Sequence, residues 1–315
     1  MKRALHRIGA IMRVRLTVLS RALAVIILVG TLAPIGLGQD CSVTTIIRVL
    51  EQQVQPVGNL TAGQLKAEIN GSRADITSFS PAAKPAVILM LDASGSMKGT
   101  WSQSIAAARE LVEKAGEDIA VLIFDEQIQG QAIGRTESEK LLDHWSTETP
   151  RHGSAIYDAL IKVASRVAHR NAAIVVISDG YDDASANSSE TTKSLFLHSS
   201  WPPVFGLILD YDPSTRPPHH KEVSVAFKKT LVATGGLVAY PSSASKVPAA
   251  LEELTATVLS SFDLTLHLSH PITTGAKLKL EVLGADGKPR RDVNTLYPVE
   301  VAGCDSRSGT PAGQR

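Results

Sequence analysis

The segment Ile88-Leu-Met-Leu-Asp92-Ala-Ser94-Gly-Ser96-Met97 decides how the rest of the chain is read. An unbroken apolar run ends on an aspartate, and two serines follow at alternate positions. A strand without polar alternation is covered on both faces, as in a parallel sheet flanked by helices. The turn after it can aim the Asp92 carboxylate and the Ser94 and Ser96 hydroxyls at one point, because Gly95 relaxes the backbone between them. Oxygen-only donors suit a hard cation such as Mg2+, Mn2+ or Ca2+, and nothing in the segment favours zinc. Taken alone, the same residues also read as an ordinary turn or helix cap.

On either side of this segment, short apolar runs recur at 119–124, 172–177, 204–209 and, more weakly, 237–240, with 86–91 containing the run just quoted. Between them, residues 102–115, 155–168, 223–233 and 249–259 place apolar side chains at helical spacing. This alternation predicts an α/β domain with a Rossmann-like, mainly parallel sheet flanked by helices. Asp92, Asp125 and Asp210 follow three of the runs directly and Asp179 follows a fourth after Ser178, so acidic residues gather at the carboxyl edge of the sheet, where open α/β folds bind ligands. Small β extensions flank the domain. Residues 42–50 read as a strand, and 65–69 with 74–79 read as a hairpin around Asn70-Gly71. Residues 264–268, 277–282 and 297–301 read as strands, with Asp286-Gly287 a turn.

Two further stretches change the weight of the first. Arg151-His-Gly153-Ser154-Ala-Ile-Tyr157-Asp158 runs from a loop into a helix, and alone Ser154 is a capping serine. Ile174-Val-Val-Ile-Ser178-Asp179-Gly180 is another apolar strand ending on a carboxylate, and alone it is a strand-end turn. Together the three resemble the motif loops of von Willebrand factor type A domains, and the resemblance covers about residues 84–262. Residues 60–79 resemble the branch of that family described from Acidobacteria. The resemblance implies a metal-ion-dependent adhesion site made by Asp92, Ser94, Ser96, Ser154 and Asp179. Ser154 stands where the family usually has threonine; it keeps the hydroxyl and loses the methyl that restricts its rotamer.

Two carboxylates and three hydroxyls leave a six-coordinate ion room for an outside ligand, so a protein partner presenting Asp or Glu is expected, with Mg2+ the favoured cation and Mn2+ or Ca2+ open. The expected function is a divalent-cation-dependent protein-binding or adhesion module without enzymatic activity. A structural or scaffolding protein whose metal serves stability only is the main alternative. A serine hydrolase built on Ser94 or Ser96 is disfavoured, because the turn lacks a GxSxG elbow and His144, His152 and His169 are not placed by any motif. His219-His220 reads as an exposed linker, and Asp182 and Asp183 read as a solvated acidic loop in preference to a second cation site.

The 315 residues carry 32 basic and 31 acidic side chains, a net charge of +1, which favours neither nucleic acid nor an anionic membrane surface. Basic residues through Arg21, then an apolar core at 22–33 and Pro34, Gly36 and Gly38, read as a signal peptide over 1–39 that is too short to span a bilayer. Met12 is an alternative start, and an uncleaved membrane anchor is an alternative fate. Export to the periplasm, cell surface or medium is therefore expected, with no membrane span after cleavage. The domain reading is a β extension over 40–83, the α/β domain over 84–262, a β segment over 263–304 and a disordered tail over 305–315. Cys41 and Cys304, at opposite ends of the mature chain, are candidates for a disulfide if their Cα atoms come close. Oligomeric state is not written in the sequence.

Overall fold

The computed structural model describes residues 41–51, 55–168, 171–199, 201–210 and 218–304, without the side chains of 218–221. The signal segment, the tail at 305–315 and His169 lie outside the described residues.

Two sheets organise the chain. The first contains β1 (Cys41–Glu51), β2 (Gln55–Pro56), β3 (Leu65–Ile69) and β4 (Ser72–Pro81). The second contains β5 (Ala86–Asp92), β6 (Ile119–Phe124), β7 (Ile128–Ile133), β8 (Ala172–Ser178), β9 (Val204–Ile208) and β10 (Val238–Ala239), after which β11 (Phe262–Leu268), β12 (Ala276–Val282), β13 (Val293–Leu296) and β14 (Glu300–Val301) return to the first. Helices α1 (Trp101–Ala115), α2 (Arg135–Ser146), α3 (Ile156–Val167), α4 (Ser189–Ser199), α5 (Pro218–Ala233) and α6 (Val247–Leu259) all fall within the span of the second sheet.

The second sheet has the order β10-β9-β8-β5-β6-β7, parallel except for β7, which pairs antiparallel with β6. Its apolar strands are buried on both faces. On one side Trp101, Ile105 and Leu111 of α1, Leu142 of α2 and Leu251 and Leu254 of α6 cover Leu89, Leu91, Val121 and Val175. On the other, Ile156, Leu160 and Val163 of α3, Phe196 of α4 and Phe227 of α5 cover Ile88, Met90, Phe124 and Ile174. This is the mainly parallel α/β sheet between helix layers that the sequence predicts. After β5 the chain moves to one side, through β6 and β7, and then returns to the other side of β5 with β8. The loops that follow β5 and β8 therefore diverge, leaving a crevice between them.

The flanking β segments form one antiparallel sheet of eight strands, ordered β13-β1-β11-β4-β3-β12-β14 with β2 on β1. Strand β4 pairs with β3 over its first residues and with β11 over the remainder, with a register shift at Thr265/Leu266. The sheet buries an apolar cluster including Val43, Ile69, Leu264, Leu266 and Leu280. The Asn70-Gly71 turn has φ angles of 49° and 80°, as the sequence predicts. Cys41 and Cys304 are disulfide-bonded with Cα atoms 5.6 Å apart.

Arg48 ties the two sheets together. From β1 it is 2% exposed, donates Nε to Thr257 O at 3.0 Å and Nη2 to Val258 O at 3.3 Å, and lies 4.8 Å from the centre of the Phe205 ring. The two carbonyls belong to the last turn of α6, where a cation meets the negative end of the helix dipole. Burial pushes the guanidinium down to about 10.

Several local expectations change. The strand expected at 297–301 is reduced to β14 (Glu300–Val301), with β13 ending before it at Leu296, because Pro298 has no N–H and the Val299 N–H goes to Ala233 O. His219 and His220 lie in the first turn of α5, which begins at Pro218, instead of in a linker. The strand expected over 237–240 is reduced to Val238–Ala239. Strand β7 and helices α2 and α4 were not anticipated. No helix among the described residues is long and apolar enough to cross a membrane.

Candidate metal centre

Asp92 is the last residue of β5, and Asp179 follows the end of β8, the adjacent parallel strand. Both are fully buried. The backbone then turns sharply after each one. The Ser94 N–H donates to Asp92 Oδ1 at 2.9 Å, and the Tyr181 N–H donates to Asp179 Oδ1 at 3.1 Å. A short 3-10 turn at Gly95–Gly99 leads into α1 and places Ser94 Oγ 3.2 Å from Ser96 Oγ. Ser94 is 2% exposed and Ser96 is partly exposed.

Ser154 reaches the same place from the loop before α3. Its hydroxyl donates to Asp92 Oδ2 at 3.0 Å, and it is 1% exposed. Backbone bonds lock this loop to the first, Arg151 N to Ala93 O at 3.0 Å and Gly95 N to His152 O at 3.0 Å, and Ala155 N to Asp125 O at 3.0 Å ties it to the end of β6. His152 takes a positive φ of 67° within this crossing. Gly153 has no room for a side chain, since a Cβ there meets Asp183 Oδ1 at 2.8 Å.

The acidic loop after β8 is structural. Asp183 Oδ1 accepts from Ser154 N at 2.7 Å. Asp182 accepts from Tyr157 N at 3.1 Å and from Ser185 Oγ at 2.6 Å, and burial raises its carboxyl. Asp158 accepts from Ala186 N and Asn187 N; burial acts upward on it, but these bonds outweigh it and hold the carboxyl below its ordinary value. Asp183 is exposed and Asp182 half-buried, as expected of a solvated acidic loop, and both carboxylates also accept from the backbone N–H groups of Ser154 and Tyr157.

Ser178 is the contributor that sequence reasoning passed over. Its hydroxyl donates to Asp92 Oδ2 at 2.7 Å and accepts from Gly180 N at 2.9 Å. The signal was present, since a serine directly before a strand-end aspartate points to the opposite side of the strand from its neighbour. The sequence could not show that its hydroxyl meets a carboxylate of the adjacent strand.

The electrostatics of the site favour a cation. Burial pushes the Asp92 carboxyl up to about 7, and the Asp179 carboxylate adds to that rise, while bonds from Ser178 and Ser94 oppose it. A buried carboxyl raised by a second buried carboxylate beside it is relieved by a shared positive charge. The nearby donors are neutral oxygens, which suits a hard divalent ion. Among the described residues no three His, Cys, Asp or Glu side chains cluster as in a zinc site. Asp92, Ser94, Ser96, Ser154 and Asp179 are the residues that would hold the ion.

A buried oxygen-donor site at the carboxyl edge of an open α/β sheet defines a class of cation-binding domain. Residues 71–195 match the family described as VWA domain containing CoxE-like protein, a span that includes all five candidate donors. No curated protein matches the chain. Similar solved structures include a von Willebrand factor type A protein from Catenulispora acidiphila, at 10% identity over 82% of this chain and 74% of that one, with a TM-score of 0.43. Proximal thread matrix protein 1 of the mussel byssus, with a zinc-occupied MIDAS motif, shares 16% identity over 60% of this chain and 50% of that one, with a TM-score of 0.43. Manganese-loaded TRAP of Plasmodium vivax shares 11% identity over 71% of this chain and 97% of that one, with a TM-score of 0.42.

Proposed function

We propose that the chain is an exported, divalent-cation-dependent protein-binding module without catalytic activity, acting in the periplasm, at the cell surface or outside the cell. The observation that supports it most directly is the pairing of buried Asp92 and Asp179 at adjacent strand ends, beside three neutral hydroxyls. Mg2+ is the favoured ion, being hard and content with oxygen donors. When bound, the cation supplies an electrophilic position for a carboxylate oxygen of a partner's Asp or Glu. The chain's own residues hold the donors in place: Ser178 fixes Asp92, Asp183 fixes Ser154, and the Arg151–Ala93 and Gly95–His152 backbone bonds keep the two loops crossed.

The hydroxyls of Ser154 and Ser178 both donate to a carboxylate, which suits electrostatic support better than nucleophilic attack. The test is recovery of partners from an envelope extract on immobilised protein. Partners held in Mg2+ and released by EDTA, and absent with Asp92→Ala, support the reading. Identical recovery in EDTA and with Asp92→Ala overturns it.

A further inference from the structure

The hydroxyl of Ser154 is committed to Asp92, so it does not cap the helix it precedes. Ala155 is the N-cap of α3, with no side-chain cap of its own. Tyr157 N donates instead to Asp182 Oδ2 at 3.1 Å, and Asp158 N to Ser185 Oγ at 3.2 Å. The loop that carries Ser154 is therefore fixed by groups outside it. A serine depends on that fixing more than a threonine would, since no methyl restricts its rotamer.

Two flanking loops take the backbone N–H groups of three successive residues. From the turn after β6, Glu126 Oε1 accepts from Gly153 N at 3.1 Å and Asp125 O accepts from Ala155 N at 3.0 Å. From the loop after β8, Asp183 Oδ1 accepts from Ser154 N at 2.7 Å, and Asp183 N and Ala184 N donate back to Ser154 O at 3.1 and 3.0 Å. The two carboxylates close on the same glycine: a Cβ on Gly153 would lie 2.8 Å from Asp183 Oδ1 and 3.4 Å from Glu126 Oε1. The turn after β6 is itself held, because Asp125 Oδ1 accepts from Gln127 N at 2.9 Å and from Gln129 Nε2 at 2.7 Å. Asp125 is buried and serves this turn, and Glu126 is the exposed acid that the turn presents.

We propose that Glu126 is a positioning residue for the cation site: from outside the donor set it holds the Ser154 loop through the Gly153 N–H, and it thereby favours Mg2+ over Ca2+. This rests on the cation reading above. Asp183 belongs to the loop that carries Asp179, whereas the turn after β6 supplies none of the five candidate donors. The Gly153 N–H is also the one hydrogen bond that the Glu126 side chain makes among the described residues. The preference between ions follows from rigidity. A near-ideal octahedral set of oxygens is needed for Mg2+, while Ca2+ accepts a larger and more flexible set. Freedom in one neutral donor therefore costs the smaller ion more.

The test is calorimetric titration of the full-length chain with Mg2+ and with Ca2+ in physiological salt, beside melting and amide hydrogen exchange in EDTA. Glu126→Ala is expected to weaken Mg2+ binding about tenfold, the lower end for groups that orient metal ligands, and Ca2+ binding by less than about threefold. Glu126→Gln keeps an acceptor oxygen and is expected to bind both ions within about twofold of the wild type, since an exposed charge is largely screened. In EDTA both variants should melt with the wild type, while the Gly153 amide exchanges faster in Glu126→Ala alone. Equal losses in the two variants would assign the effect to charge and overturn the proposal, as would equal losses for the two ions or no loss at all. Unchanged Gly153 exchange in Glu126→Ala overturns the positioning role whatever the ions do. A wild type that binds neither ion overturns the cation reading itself, and the ion preference with it.

Discussion

Ser178 donates its hydroxyl to Asp92 Oδ2 at 2.7 Å, a shorter bond than the one Ser154 makes to the same oxygen at 3.0 Å. A residue outside the expected donor set therefore holds the central carboxylate most closely. Ser178→Ala should lower stability by about 1–2 kcal/mol, the usual cost of leaving a buried acceptor short of a partner. It should also weaken cation binding, because Asp92 loses a bond that favours its ionised form. A titration followed by the cation-dependent melting temperature checks both, and unchanged affinity would remove Ser178 from the site.

The Asp92 and Asp179 carboxylates oppose one another in the absence of a cation. Asp179→Asn should consequently raise the melting temperature in EDTA while abolishing the further rise on adding Mg2+, Mn2+ or Ca2+. For the wild type, saturation at a hundred times Kd should add about 2.7 kcal/mol. A wild-type melt indifferent to every cation would falsify the metal site.

The same pair predicts a pH dependence. In the metal-free protein the folded Asp92 pKa, at about 7, lies above its ordinary value of 3.8. The folded state therefore binds the proton more tightly, and this contribution to stability is complete below pH 3.8 and is lost as pH rises through about 7. Denaturant melts in EDTA should show this trend most clearly against Asp92→Asn, which should lack it. With Mg2+ the order reverses, since the ion requires the carboxylate and its affinity should fall as pH drops below about 7.

Arg48 tests the junction between the sheets. Arg48→Ala leaves two terminal carbonyls of α6 without their donor and opens space beside Phe205, for an expected loss of about 2–4 kcal/mol. Arg48→Lys should recover part of that, since one ammonium replaces the two-pronged contact. Cation affinity should be unchanged in both variants, because Arg48 contacts none of the donors. Chemical denaturation and cation titration separate the two effects.

What the sequence disclosed follows from burial. The strands carrying Asp92 and Asp179 are apolar throughout because helices cover both faces, and such runs are legible one residue at a time. Strand β7 escaped notice because it lies at an edge, half-exposed, with Gly130 under Trp145. Helix α2 buries only Ser138 and Leu142, and α4 only Thr192, Phe196 and Leu197, too few to make a helical stripe. The union of the flanking segments was hidden for a different reason: Thr44 meets Thr265, 221 residues away, and no local pattern encodes such a pairing. The donors Asp92, Ser94, Ser96, Ser154 and Asp179 were named from motif order, and the structure places Ser94 beside Ser96, and Ser154 on Asp92. The second layer, Ser178, Asp183 and Asp182, depends on bonds between loops and had no linear signature.

The α/β domain leaves the first sheet after β4 and rejoins it at β11, two neighbouring strands whose facing ends, Pro81 and Phe262, are paired. Cys41 and Cys304 close the outer ends of the chain across a separation of 263 residues. A pull exerted between the segments that flank these cysteines therefore passes through a single covalent link, and everything between them is mechanically bypassed. The candidate donors Asp92 and Asp179 then sit in a region shielded from tension along the backbone between the two cysteines.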